Sequence, residues 1–268
     1  MTTRGGPMKI WYQSFIDVEA QAPYFRRLRT YIDSIKSPST TIDIHGVSPP
    51  DRYFHPITEF RGAAQTIRNA LQARDEGYDA FVIGHFQEPG LQECRGAVDI
   101  PVIALGEATL HYGCMLGRKI GLVTIDPIFI PYIEAQVFAH GLQQRVAGVT
   151  AIEADLDRFM RAFEDRQVQQ EVLADFETLT RPLLDAGADV IIPAGGMPML
   201  LFAQMQPLSI GGAAVLEGIA AVVKMAEMAV SMHRITGVAA GRSGYYRLAS
   251  DGAISDFLAS SHPTGVEA

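Results

Sequence analysis

Short apolar runs that alternate with longer amphipathic stretches constrain this chain most, because parallel strands need a crossover between them and a helix usually supplies it. Met8–Tyr12 reads as a first strand, Ala22–Ser34 as a helix and Thr40–Val47 as a second strand. Ala63–Glu76 reads as a helix that stops at Gly77, a residue suited to the left-handed C-cap. Ala80–Gly84 and Val102–Leu105 read as buried strands, and Glu107–Leu116 as a helix ending at Gly117. The rhythm then restarts, with strands over Lys119–Ile125, Val149–Glu153, Val190–Pro193 and Ala214–Leu216. Between them the pattern predicts helices over Ile130–His140 and Leu156–Ala186, the second with a break near Pro182, and a closing helix over Gly218–Thr236. The stretch from Gly237 onward, rich in Gly and Ser, is expected to wrap or fray.

Bulk properties narrow the function. The chain has 268 residues, 48% hydrophobic and 19% charged, which is enough to bury the core of one or two domains. Its formal net charge of −8 argues against nucleic acid and against an anionic membrane as partners. The two cysteines, Cys94 and Cys114, lack metal-site spacing and form no disulfide framework, which fits a reducing compartment and a cytoplasmic location. Met1–Pro7 is polar and glycine-rich, so no secretory leader is expected. Ala213–Met232 is the nearest approach to a membrane span, and Glu217, Lys224 and Glu227 interrupt it.

Two strands end in small or polar residues before a helix: Gly84-His85-Phe86 in the first round of the alternation and Pro193-Ala194-Gly195-Gly196 in the second. Ligands of open α/β sheets sit beyond the carboxyl ends of strands. The reading is two similar lobes facing across a cleft, with one of these strand ends on each side.

These segments resemble hydantoin and allantoin racemases of the aspartate/glutamate/hydantoin racemase superfamily. Ile83-Gly84-His85-Phe86-Gln87-Glu88-Pro89-Gly90-Leu91 is similar to the first catalytic loop, usually Cys-Phe-x-Asp-Pro-Gly-Leu. Pro101-Val102-Ile103-Ala104-Leu105-Gly106-Glu107-Ala108 is similar to the strand-to-helix signature that follows. Pro193-Ala194-Gly195-Gly196-Met197 is similar to the second catalytic loop, usually Gly-Cys-Ala-Gly-Met, and Val215-Leu216-Glu217-Gly218-Ile219-Ala220-Ala221 to the last strand and helix start, where Asp is usual in place of Glu217. The order holds from about Met8 to Tyr246. The resemblance implies an α/β fold of two flavodoxin-like lobes with parallel sheets, related by pseudo-two-fold symmetry, with the active site between them. Residues 8–116 would form lobe 1, completed by 218–246, residues 117–217 lobe 2, and 247–268 a tail. It also implies a small-molecule substrate, homo-oligomers, no cofactor and no metal.

In the family, one thiolate removes a proton next to a carbonyl and a thiol on the opposite face returns one. Here His85 and Ala194 stand at those positions, and alanine can neither give nor take a proton. Cys94 and Cys114 read as packing residues. His85 is therefore the candidate acid or base, since imidazole works near neutral pH, with Glu217 as a candidate second acid/base group and Glu88 as an orienting or helix-capping carboxylate. Candidate substrate contacts are Gln13 and Ser14 after the first strand, Phe86, Thr124, and the backbone of Ala194, Gly195, Gly196 and Met197, whose N–H groups suit an anion or carbonyl oxygen. Asp126 suits the cap of the next helix. Glu107 and His111 pair at i,i+4, with no third metal ligand evident, and Arg242 is weighed as a contact for an acidic substrate against a solvated tail position.

The chemistry read from these residues is cofactor-independent acid–base catalysis centred on His85, on a small cyclic amide, imide or ureide or a small carboxylate, rather than two-cysteine racemisation. Hydrolytic ring opening is one alternative, and a catalytically silent metabolite-binding relative is another. A cleft-facing His85 with a carboxylate behind it distinguishes catalysis from silence.

Overall fold

The structure, a computed structural model, describes residues 6–16, 22–49, 53–153 and 156–260. Its first sheet contains β1 (Met8–Gln13), β2 (Thr40–His45), β3 (Ala80–Ile83) and β4 (Val102–Ala104), all parallel, in the order β2-β1-β3-β4. The second contains β5 (Ile120–Thr124), β6 (Val146–Ala151), β7 (Val190–Ala194), β8 (Ser209–Ile210) and β9 (Ala213–Val215), in the order β6-β5-β7-β9-β8. Only the β8–β9 pair is antiparallel. Both sheets thus repeat one pattern, with the first strand of each between the second and third. That arrangement sets a topological switch point beside β1 and β3 in one lobe and beside β5 and β7 in the other.

The central strands are apolar runs because both faces are covered. Every residue of β3 and of β7 is buried. On one face of the first sheet, α2 (Pro56–Asp75) and α3 (Leu91–Ala97) pack Leu71, Ala73 and Cys94 against Trp11, Phe81 and Ile83. On the other, α4 (Leu105–Leu116) and the returning helix α9 (Gly218–Thr236) join a larger core that runs without interruption from Ile10 and Val82 to Leu122, Ile192 and Val222. The shared core fixes how the two strand ends face one another. Among the described residues, no helix is long and apolar enough to cross a membrane.

The elements depart from the sequence pattern in several places. The structure starts α2 at Pro56, seven residues before the expected Ala63, with Pro56 at the first helical position and the His55 ring accepting from Ile57 N–H at 3.1 Å. The region expected as one helix with a break at Pro182 is two helices, α6 (Leu156–Ala162) and α7 (Arg166–Asp185). Asp165 starts α7 by capping Gln167 N–H, while Pro182 lies inside it. Further on, α1 (Ala22–Ile35), α5 (Ile130–Ala139) and α8 (Gly196–Ala203) lie near their expected positions or follow a strand end directly. Beyond Gly237 the chain forms a strap and then α10 (Asp251–Ala259), capped by Ser250. Arg242 holds the strap by donating to the carbonyls of Arg95, Val98 and Tyr246, so it is a structural clamp on α3 and does not reach the cleft.

Candidate active site

Beyond β1 and β3, and facing them beyond β5 and β7, lies a cleft. Its wall includes Ser14, Phe15, Glu59, His85, Gln87, Ile125, Phe129, Gly195, Gly196 and Met197, with Tyr24 and Tyr53 at its sides. His85 stands two residues past the end of β3, after Gly84, and lines the cleft. Gln87 N–H donates to His85 Nδ1 at 3.2 Å, and the Phe15 ring meets the imidazole edge-on with centroids 4.5 Å apart. With Nδ1 accepting, a neutral ring carries its proton on Nε2. That nitrogen lies 3.6 Å from Glu59 Oε1.

Glu59 is a site residue that the sequence reading missed. It occupies the first turn of α2, yet it is buried while its apolar neighbours Ile57 and Phe60 are 73% and 79% exposed. The hydrophobic pattern of this turn is inverted, so periodicity hides it. His55-Pro56 ahead of it, a Pro-at-N1 helix start with a capping side chain, was the available signal. Burial pushes the Glu59 carboxyl up from its usual 4.5 to about 7. Its Oε2 is buried without a hydrogen-bond partner, a costly condition that natural proteins keep mainly where it has a use.

On the facing wall, Gly195 N–H is already engaged by Pro193 carbonyl at 2.8 Å. The N–H groups of Gly196 and Met197 open α8 and have no carbonyl a turn earlier to reach, and Pro198 brings no N–H of its own. The donors on this wall are therefore Gly196 and Met197, the last two of the four residues expected there. A side chain at Gly196 would stand 3.3 Å from Tyr24 Oη, so glycine keeps this approach open between the lobes.

Five residues expected at the cleft are engaged elsewhere. Gln13 is fully buried, accepts from Trp11 and Asn69 and donates to the carbonyls of Ser14 and Gly46, so it ties β1 to β2 and α2. Phe86 points into the core and offers only its carbonyl, which accepts from Gln136 at 2.7 Å. Thr124 donates its hydroxyl to Ala194 carbonyl at 3.1 Å, pinning the ends of β5 and β7 together, and the Ala194 methyl is buried beneath the cleft floor. Glu217 caps α9, accepting from Ile219 and Ala220 N–H and, at 2.6 Å, from the Tyr31 hydroxyl. It is therefore a buried helix cap and no second partner for His85. Neither cysteine lines the cleft: Cys94 is on the buried face of α3, its thiol pKa pushed up by burial, and Cys114 sits at the far end of α4.

Behind the His85 loop a polar network crosses between lobes. Glu88 adopts φ 58°, the left-handed region a non-glycine residue avoids. Its carboxylate accepts from Glu107 N–H at the start of α4 and contacts His140 Nε2 at 2.9 Å. Arg95 grips both Glu107 oxygens, and His111 meets His140 ring to ring. His140 is thus the third member beside Glu107 and His111 that spacing alone did not reveal, the three donor atoms lying within 4.8 Å of one another. Arg95 and Glu88 already engage Glu107 and His140. The Glu88 bond raises the His140 pKa, against a smaller opposing effect of burial.

Two α/β lobes with a titratable pair where their strand ends meet define a two-lobed α/β protein with a cleft between its lobes. Comparison with known proteins gives the family. Residues 15–226 match the Asp/Glu/hydantoin racemase family, and the chain belongs to it. It is 27% identical over 191 residues to a hydantoin racemase of Pseudomonas sp. (strain NS671), covering 71% of this chain and 73% of that one. A hydantoin racemase of Rhizobium meliloti is 28% identical over 156 residues, covering 58% and 62%. The fold matches allantoin racemase from Klebsiella pneumoniae with a TM-score of 0.75 at 21% identity, over 91% of this chain and 94% of that one.

Proposed function

We propose that this racemase-family protein moves a proton at a carbon next to a carbonyl of a small, uncharged cyclic amide, imide or ureide, by cofactor-independent acid–base chemistry at His85. The observation that carries this reading is the cleft-facing His85 with the buried carboxylate of Glu59 behind its Nε2. A silent scaffold has no reason to keep such a pair, because an unpartnered buried carboxylate oxygen destabilises the fold. The described lining contains no Lys or Arg, and it is rich in Phe15, Ile16, Phe54, Ile125 and Phe129. Those walls favour a neutral ring over a small carboxylate, which Glu59 would repel. The N–H groups of Gly196 and Met197 suit the oxygen on which negative charge develops. The curated relatives named hydantoin racemase support the same substrate class. Two-thiol inversion is disfavoured by His85 and Ala194 at the loop positions and by the burial of Cys94.

The test is incubation of the unmodified chain and His85→Ala with a panel of cyclic ureides and imides in heavy water, following deuterium uptake and ring opening. Uptake that falls at least about a hundredfold in His85→Ala supports the reading. No uptake by the unmodified chain, or equal uptake by both, overturns it, and ring opening without uptake makes the chain a hydrolase.

A further inference from the structure

We infer, on the proposed reading of the cleft as a site for a cyclic amide, imide or ureide, that Gln87 selects the ligand by pairing its carboxamide with the N–H and C=O edge of the ring. Gln87 lines the cleft and is partly exposed, two residues past His85 on the same loop. Its backbone N–H donates to His85 Nδ1 at 3.2 Å, which fixes the residue beside the imidazole. The next residue, Glu88, is anchored by Glu107 N–H and by His140, so the backbone that carries Gln87 is held in place. Among the described residues the Gln87 carboxamide has no hydrogen-bond partner; the bond this residue makes runs from its backbone. It is also the one carboxamide among the described lining residues.

The chemistry of that group names the ligand edge. A carboxamide carries N–H donors beside a carbonyl acceptor on one plane. A lactam, imide or cyclic ureide holds its amide cis, so a ring N–H and a ring C=O stand side by side. The ring N–H donates to Gln87 Oε1, and Gln87 Nε2–H donates to the ring C=O. A carboxylate offers acceptors alone and leaves Gln87 Oε1 without a donor. An open-chain trans amide points its N–H and C=O in opposite directions and satisfies one Gln87 atom at a time. A polar group taken from water without a partner loses affinity, so the paired bonds favour the cyclic ligand over both.

The test measures binding by titration calorimetry, and deuterium uptake in heavy water, with 5-benzylhydantoin and its 1,3-dimethyl derivative. The dimethyl compound keeps both carbonyls and loses both N–H groups. The unmodified chain is expected to bind 5-benzylhydantoin at least about tenfold more tightly than the dimethyl compound. Gln87→Met matches the length of the side chain and removes its donor and acceptor. It is expected to weaken 5-benzylhydantoin binding by about ten- to a hundredfold, to change the dimethyl compound by no more than about threefold, and to leave the melting temperature unchanged. Gln87→Glu, which exchanges the donor for a charged acceptor, is expected to lose the preference as well. A preference for 5-benzylhydantoin that persists in either folded variant overturns the role of Gln87 alone. The expected binding pattern without deuterium uptake by the unmodified chain overturns the proposed reaction and leaves the role of Gln87 standing. Binding of neither compound by the unmodified chain overturns both.

Discussion

His140, at the end of α5 in one lobe, holds the Glu88 carboxylate of the His85 loop in the other, Nε2 to Oε2 at 2.9 Å. One carboxylate thereby links the turn that carries His85, the start of α4 and the opposite lobe. Glu88 keeps its left-handed backbone because these contacts over-determine it.

The latch depends on pH in a defined direction. The His140 pKa is raised by the Glu88 bond, so its stabilisation is fully present below about 6.5, the value of an unfolded histidine, and fades as pH rises through the folded-state value. Glu107 also favours the charged ring and Arg95 opposes it, while the His111 ring lies alongside. Glu88→Gln should cost about 1.5–3 kcal/mol at pH 6 and less at pH 9. Thermal unfolding of both proteins at the two pH values measures this.

Glu59 imposes the opposite slope. Its carboxyl titrates near 7 when folded and near 4.5 when unfolded, so the native state binds more protons between those values and loses stability as pH rises through them. The cost of ionising it amounts to about 3 kcal/mol by pH 8 as an upper figure. Glu59→Gln should flatten this slope, so urea unfolding at pH 5 and pH 8 should give a smaller difference in the variant.

Gly106 packs tightly against the opposite lobe behind the loop. A methyl group there would overlap Gln136 Nε2 and Phe86 carbonyl, the pair that ties α5 to the His85 loop. Gly106→Ala should destabilise by about 2–3 kcal/mol and lower turnover, because the backbone carbonyl cannot swing aside as a flexible side chain can. Melting temperature and deuterium uptake report the two effects.

Glu217 separates capping from catalysis. Glu217→Gln weakens the bonds to Ile219, Ala220 and Tyr31 and should cost about 1 kcal/mol. Because it does not line the cleft, uptake at a temperature where the variant is folded should stay within a few-fold of the unmodified chain.

The lobes were legible because buried parallel strands leave unbroken apolar runs, as in Ala80–Ile83 and Val190–Ala194. His85 was legible for the same reason, since it lies just past such a run, after Gly84, and a cleft lies beyond strand ends. Glu59 was not, because the first turn of α2 turns Ile57 and Phe60 to solvent and a carboxylate inward. Gln13 and Thr124 stand at strand ends too, and only tertiary contacts reveal that Asn69 and Ala194 engage them. The His140–Glu88 bond joins residues far apart in sequence, and no local pattern encodes it.

The account's central claim is that the cleft works through a carboxylate–imidazole pair and without sulfur. Deuterium uptake into 5-benzylhydantoin by a Cys94→Ala/Cys114→Ala chain, beside His85→Ala, tests it most directly. The account predicts that the cysteine-free protein retains uptake within a few-fold of the unmodified chain while His85→Ala loses at least about a hundredfold. Loss of uptake in a folded cysteine-free protein, with His85→Ala still active, would contradict it.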